Sequence, residues 1–379
     1  MNRRRFNTLF GASLALAALP RLARAENGVS AEAIVLGQSC PLTGPAAELG
    51  TEMRLGAQQH FAEINQKGGI FGRQIKLVSL DDGYEAARAA ANTRKLIEEE
   101  KIFALFGYVG TATSEAALPI LSNAQVPFVG ALTGAQSLRA PFNRNVFNVR
   151  AGYFDETEKI VEQATLLGMK KIAVLAQDDA YGQAGLAGMN RALDKRKLGV
   201  AAVAMVKRNT VEVAAAVAKL VAARPDVIVI ISAYEAAGAF IKQAKNAGYA
   251  GQFQNVSFVG SRALSKELGA EGYGVAVSQV VPSPRAGSLA IVREYQQAFK
   301  NVKEAPTFIS LEGYIAARVL TEGLRRAGKD LTRERLIAGL ETMRFVDLGG
   351  FAINFTPTDH NGSTFVELTI MARDGKLLY

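Results

Sequence analysis

The apolar positions of this chain fall into short runs rich in Val and Ile, and longer stretches with helical periodicity separate them. Runs at 33–37, 74–80, 102–106, 126–129 and 146–149 read as strands, with helices over 46–67, 85–100 and 113–123 between them. The pattern then restarts. Strands are predicted at 171–175, 200–206, 226–231 and 254–259, and helices near 155–167, 182–194, 211–223 and 234–247. Short apolar strands alternating with helices mark parallel sheets, because each crossover lays a helix on a sheet face and buries it. The fold class is therefore α/β, with two doubly wound parallel-sheet lobes of similar topology and no sequence repeat between them.

From about 284 the periodicity changes to three successive helices, 287–300, 309–327 and 331–343. Two strand-like segments follow, 351–355 and 364–379, and Asp374-Gly375 supplies a hairpin turn inside the second. A helical block appended to the second lobe predicts a return to the first. The expected lobes are 26–149 with 284–342, and 150–283 with 343–379, joined by hinge crossovers into a clamp.

Residues 1–25 belong to neither lobe. Arg3-Arg4-Arg5-Phe6, an apolar stretch over 9–19 and the small-x-small site Ala23-Arg24-Ala25 form an export signal with cleavage after Ala25. The stretch is about half of the ~20 residues that a spanning helix needs. Arg3-Arg4-x-Phe6 resembles a twin-arginine signal. Cleavage takes five arginines and no acids off the formal charge of +9, leaving +4. Most of the basicity thus belongs to the signal. The remaining basic run, 191–197, lacks interleaved aromatics, so nucleic acid is not an expected partner.

The chemistry of catalysis is missing. A single cysteine forbids an internal disulfide, and with two histidines it leaves no structural zinc set. There is no phosphate loop and no dinucleotide fingerprint, and Gly37-Gln38-Ser39-Cys40-Pro41 lacks the last glycine of a nucleophile elbow. The pairs Asp81-Asp82 and Asp178-Asp179 sit at strand ends, where turns and helix caps account for them as well as acid–base work does. The expectation is a non-enzyme without cofactor or metal.

Hydroxyl- and glycine-rich loops recur instead where strands hand over to helices: Gly107–Ser114, Gly130–Gly134, Asp178–Gly182, Ser232–Tyr234 and Gly260–Arg262. In open parallel sheets, ligands sit outside the carboxyl ends of the strands. Helix-start N–H groups supplemented by threonine hydroxyls cradle a carboxylate; Thr111 and Thr113 serve equally well as helix caps.

The motifs Pro41-Leu42-Thr43-Gly44-Pro45, Asn65-x-x-Gly68-Gly69-Ile70-x-Gly72-Arg73, Asp81-Asp82, the Thr111–Ser114 loop and Asp179-x-Tyr181-Gly182 together carry a resemblance. The chain resembles periplasmic solute-binding proteins of the leucine/isoleucine/valine-binding type, which serve ATP-driven importers. That likeness implies the type I periplasmic-binding-protein fold, three hinge strands, a periplasmic monomer and an inner-membrane ABC permease as partner. It implies a small carboxylate or amino-acid ligand. Thr111, Ala112 and Thr113 match the family's carboxylate clamp, and Ala131 and Thr133 its second contact. Tyr153, Tyr181 and Tyr234 match aromatic walls, and Ser261 and Arg262 stand where amino-acid binders place an acid for the ligand's ammonium. Leu49 replaces a frequent aromatic. Arg262 either pairs a polar group of an ammonium-free ligand or points to solvent.

If Arg3-Arg4 directs export of folded protein, Arg3→Lys with Arg4→Lys leaves a folded precursor in the cytoplasm. Fractionation and immunoblotting check this, and an unchanged periplasmic yield contradicts it.

Overall fold

The computed structural model describes residues 26–378, so the signal segment lies outside the described residues. The first half of the chain runs β1 (Ala33–Cys40), α1 (Ala47–Gln66), β2 (Gln74–Asp81), α2 (Ala86–Glu98), β3 (Ala104–Phe106), α3 (Thr111–Asn123), β4 (Phe128–Val129) and β5 (Val146–Phe147). These five strands form one sheet in the order β2-β1-β3-β4-β5, with every pair parallel. β1 and β3 are buried along almost their whole length, as a sheet covered by helices requires.

The second unit begins with α4 (Tyr153–Leu166), β6 (Ile172–Gln177), α5 (Ala180–Asp194), β7 (Ala202–Val206), α6 (Ala214–Ala222), β8 (Val227–Ile231) and α7 (Tyr234–Asn246). It continues through β9 (Gln252–Asn255), α8 (Ser261–Leu268) and β10 (Ala276–Gln279). Three helices follow, α9 (Ala290–Ala298), α10 (Phe308–Ala327) and α11 (Arg333–Glu341), then β11 (Val346–Asp347), β12 (Ala352–Ile353), β13 (Glu367–Met371) and β14 (Leu377–Leu378). The second sheet has the order β14-β13-β10-β9-β8-β6-β7; its last two strands in sequence, β13 and β14, run antiparallel. This is the expected two-lobed α/β architecture.

Three elements, β10, α8 and the two-residue β11, escape the periodicity. β10 is only Ala-Val-Ser-Gln, too short for an apolar run, and α8 begins where a strand ending at 259 leaves no obvious helical stripe. Where the third crossover falls also differs from the expected 342/343 divide. Residues 346–361 stay with the first lobe: the Ile291 N–H donates to Gly349 O at 2.9 Å, and His360 stacks on Phe147 at 3.7 Å. Asn361 bridges Asn148, and only β13 and β14 enter the second sheet. The hydrophobic residues Phe351, Ile353 and Phe355 need the first lobe's core, and that keeps the segment there.

The chain therefore crosses between lobes three times, near 148–152, 280–289 and 362–366. On the first crossover sits Arg150, one of the largest fully buried side chains. Its guanidinium reaches Glu156 of α4 at 2.5 Å, Glu312 of α10 at 3.4 Å and Ser257 of the second lobe. Glu156 in turn accepts the Ser257 N–H at 2.8 Å and the Ser278 hydroxyl at 2.6 Å. One cation thus ties both lobes to their joint. Because breaking a buried pair leaves an uncompensated charge, Arg150→Met should cost about 3–5 kcal/mol in urea unfolding. Adding Glu156→Gln and Glu312→Gln should recover part of that loss. A fully stable single variant would contradict the tie.

Candidate functional site

In the first sheet the strand order reverses between β1 and β3, and in the second between β6 and β8. Ligands in such sheets lie at these switch points, beyond the carboxyl ends of the strands. The loops leaving β3, β4, β6 and β8 meet there in the seam between the lobes.

On the first-lobe side, Gly110 precedes α3 with φ +103° and provides no side-chain cap, so the helix's first N–H groups have no side-chain partner at its cap. The Thr111 and Thr133 hydroxyls lie 2.7 Å apart, both wholly buried. On either side of Ala131, Gly130 and Leu132 donate their N–H groups to the Phe147 and Tyr108 carbonyls, at 2.9 and 2.7 Å. The Thr133 hydroxyl also donates to the Tyr153 oxygen at 3.4 Å. Thr111, Ala131, Thr133 and Tyr153 therefore come together. Thr113 does not join them. Its hydroxyl turns back onto Val109 O at 2.5 Å and Gly110 O at 3.0 Å, a bond within its own helix start, and Ala112 is half-buried beside it. The buried Ser114 hydroxyl has no partner.

On the second-lobe side, Asp179 caps α5, accepting the Tyr181 N–H at 2.9 Å, and so fixes Tyr181 at the helix start. Tyr181 lies 5.4 Å from Tyr153 and 4.7 Å from Phe258, ring to ring. Its hydroxyl is buried without a partner. Burial pushes the Tyr153 phenol up to about 12 and the Tyr181 phenol higher still, so both hold their protons.

Tyr84, which no motif flagged, reaches in from the turn after β2. Its φ of +64° is uncommon for a bulky residue. The Asp82 carboxylate holds the turn by accepting the Tyr84 N–H at 2.8 Å. A Cβ on Gly110 would fall 2.4 Å from the Tyr84 ring, so that position must stay glycine. Across the seam Tyr84 accepts from Gln177 Nε2 at 3.1 Å, and its ring lies 5.8 Å from Phe258.

Tyr234, Ser261 and Arg262 lie at the rim, where the second lobe closes on the start of α1. The Tyr234 hydroxyl pairs with the Glu48 backbone. Ser261 is buried behind Gly260, whose missing Cβ makes room for Leu49 at 2.6 Å. Arg262 does not reach the seam: its Nε pairs with Glu52 at 3.2 Å, alongside Lys266 on Glu48 at 2.9 Å. A third rim tie joins Arg208 to Glu85 at 2.7 Å. The rim ties were not legible in sequence, because they depend on which helix faces faces meet across the lobes.

Glu52 also accepts the Thr307 hydroxyl at 2.7 Å. Burial raises its carboxyl from an ordinary 4.5 to about 7, with Thr307 and Arg262 pulling it back down. The folded state therefore favours the protonated acid. That contribution is complete below the unfolded value and is lost as pH rises through about 4.5 to 7. Thermal unfolding across this range should show Glu52→Gln removing the decline and Arg262→Ala extending it to higher pH. A Glu52→Gln profile parallel to wild type would contradict the assignment.

Residues 33–376 match the family model described as periplasmic binding protein. The Leu/Ile/Val-binding protein homolog 7 of Brucella abortus (strain 2308) is 26% identical over 363 residues, 91% of this chain and 90% of its own. A solved structure of a possible leucine/isoleucine/valine-binding protein from Rhodopirellula baltica SH 1 superposes with a TM-score of 0.87 at 33% identity, covering 92% of this chain and 97% of that one. A substrate-binding periplasmic protein from Ralstonia solanacearum gives 0.86 at 33%, covering 91% and 99%.

Proposed function

This chain belongs to the periplasmic binding protein family, and on that premise we propose that it is the extracytoplasmic substrate-binding component of an ABC importer. Its relatives of the Leu/Ile/Val-binding type are binding proteins and not enzymes. In this reading the mature chain works in the periplasm as a monomer, released from its signal after Ala25. It closes on a small carboxylate-bearing ligand, an amino acid or a related organic acid, and hands it to an inner-membrane permease. Among the described residues no helix is long and apolar enough to cross a membrane.

The observation that carries this reading is the hydroxyl pair Thr111–Thr133 beside the uncapped start of α3. Hydroxyl and N–H donors converge there on a dry seam, and an anion is the ligand group such donors pair with. Thr111 and Thr133 would take the carboxylate, with Ala112 and Ala131 adding backbone donors. Tyr153 and Tyr181 would flank the ligand body, while Tyr234, Ser261 and Arg262 close the rim. Thr113 would shape the helix start.

Ligand binding should contract the scattering profile as the lobes close, because a ligand held by both lobes favours the conformation that brings them together. Thr111→Val with Thr133→Val should weaken carboxylate binding by about 10- to 100-fold, the worth of hydrogen bonds to a charged group. Calorimetry on the variant and wild type, from a carboxylate library, checks the second point. Undiminished affinity in the double variant would contradict the clamp.

A further inference from the structure

The seam has an excess of hydrogen-bond donors, and the excess extends beyond the threonine pair. Tyr84, Tyr153 and Tyr181 are all buried to within 1% of complete exclusion, and their rings with Phe258 make one continuous wall. Tyr84 oxygen accepts from Gln177 and Tyr153 oxygen accepts from Thr133, which leaves each of these phenols its own O–H proton to donate. The Tyr181 hydroxyl has no partner of any kind. The three rings are near one another: Tyr153 lies 5.4 Å from Tyr181, and Tyr181 and Tyr84 both pack on Phe258, at 4.7 and 5.8 Å.

The nearby carboxylates offer little in return. Glu156 is engaged by Arg150, Ser257 and Ser278. Asp179 caps α5 and accepts from Gln177 at 2.7 Å. Asp82 accepts from Ser39 and from the Tyr84 N–H. Asp178 is exposed, and Glu235 faces Glu267, which itself packs over Gly238 of α7. No acid follows Gly260 closely, and Arg262 is held at the rim. An ammonium placed here would find phenol oxygens but no free carboxylate, so its charge would be buried without a counter-ion, at a large desolvation cost. An acceptor oxygen would satisfy the buried phenols.

Resting on the carboxylate-binding reading, we infer that Tyr84, Tyr153 and Tyr181 form a second recognition point that takes a neutral acceptor oxygen of the ligand. The ligand class is then a carboxylate with an adjacent keto or similar oxygen, a 2-oxo acid rather than the matching 2-amino acid. The conformation of Tyr84 fits such a role. A tyrosine persists at positive φ only where its surroundings over-determine it, and such positions gather at ligand clamps. Here the Asp82 carboxylate, the bare face of Gly110 and the cross-seam bond from Gln177 all fix one ring position.

The test titrates matched pairs by calorimetry: 4-methyl-2-oxopentanoate against leucine, and phenylpyruvate against phenylalanine. In wild type the oxo acid of at least one pair should bind about tenfold tighter or better than its amino acid. Tyr181→Phe should weaken that oxo acid by about 5- to 30-fold, more than it weakens the amino acid, and Tyr84→Phe should act in the same direction. Both variants keep the ring, and unfolding curves matching wild type confirm the fold. An amino acid that binds tighter than its oxo partner overturns the inference and leaves the carboxylate clamp standing. So does an oxo-acid affinity that neither tyrosine variant changes. Failure of every carboxylate to bind overturns the clamp and the inference together.

Discussion

Everything in this protein depends on one buried cation at the joint. Arg150 lies on the first crossover and holds Glu156 from one lobe and Glu312 from the other. Desolvation makes such a group costly unless every partner stays in place. Burial raises the Glu312 carboxyl, and the Arg150 charge pulls it back down. The joint is therefore held in one geometry, and the Tyr153 ring, 5.8 Å from the guanidinium, is positioned by the same network. The joint and one wall of the seam are parts of a single construction.

From that joint the two sheets bring their switch points face to face. Loop positions that are unremarkable within one lobe acquire meaning only in the pair. Thr133 meets Tyr153, Gln177 meets Tyr84, and Gly260 admits Leu49. Around them the acids of α1 meet the bases of α8 as a polar rim, solvated at its outer edge. The more exposed of these pairs, such as Lys266–Glu48, contribute little energy. They fix how the lobes register around the buried centre.

Much of this was legible in the chain. The strand–helix alternation gave both lobes, and the Gly-Thr loop after β3 pointed to Thr111, whose hydroxyl meets that of Thr133. The rest depended on tertiary facts. Thr113 looks like Thr111 in sequence, yet its distance from the helix start turns its hydroxyl onto Val109. Tyr84 follows an Asp-Asp-Gly turn that reads as an ordinary loop, and its ring is covered by Gly110 and by Phe258 and Gln177 of the opposite lobe. Arg262 follows the glycine where a ligand acid was expected, but α8 begins there and directs it to Glu52 on the rim. The third crossover lies near 362 and not 343, because Phe351 and Phe355 belong to the first lobe's core.

The most direct test of the central claim is a crystal structure of the protein purified without refolding, so that a ligand carried from the cell is retained. The account predicts density in the seam, with a carboxylate on the Thr111 and Thr133 hydroxyls and the ligand body against Tyr153 and Tyr181. Lobes closed as described here, with a ligand bound elsewhere and those two hydroxyls still paired only to each other, would contradict it.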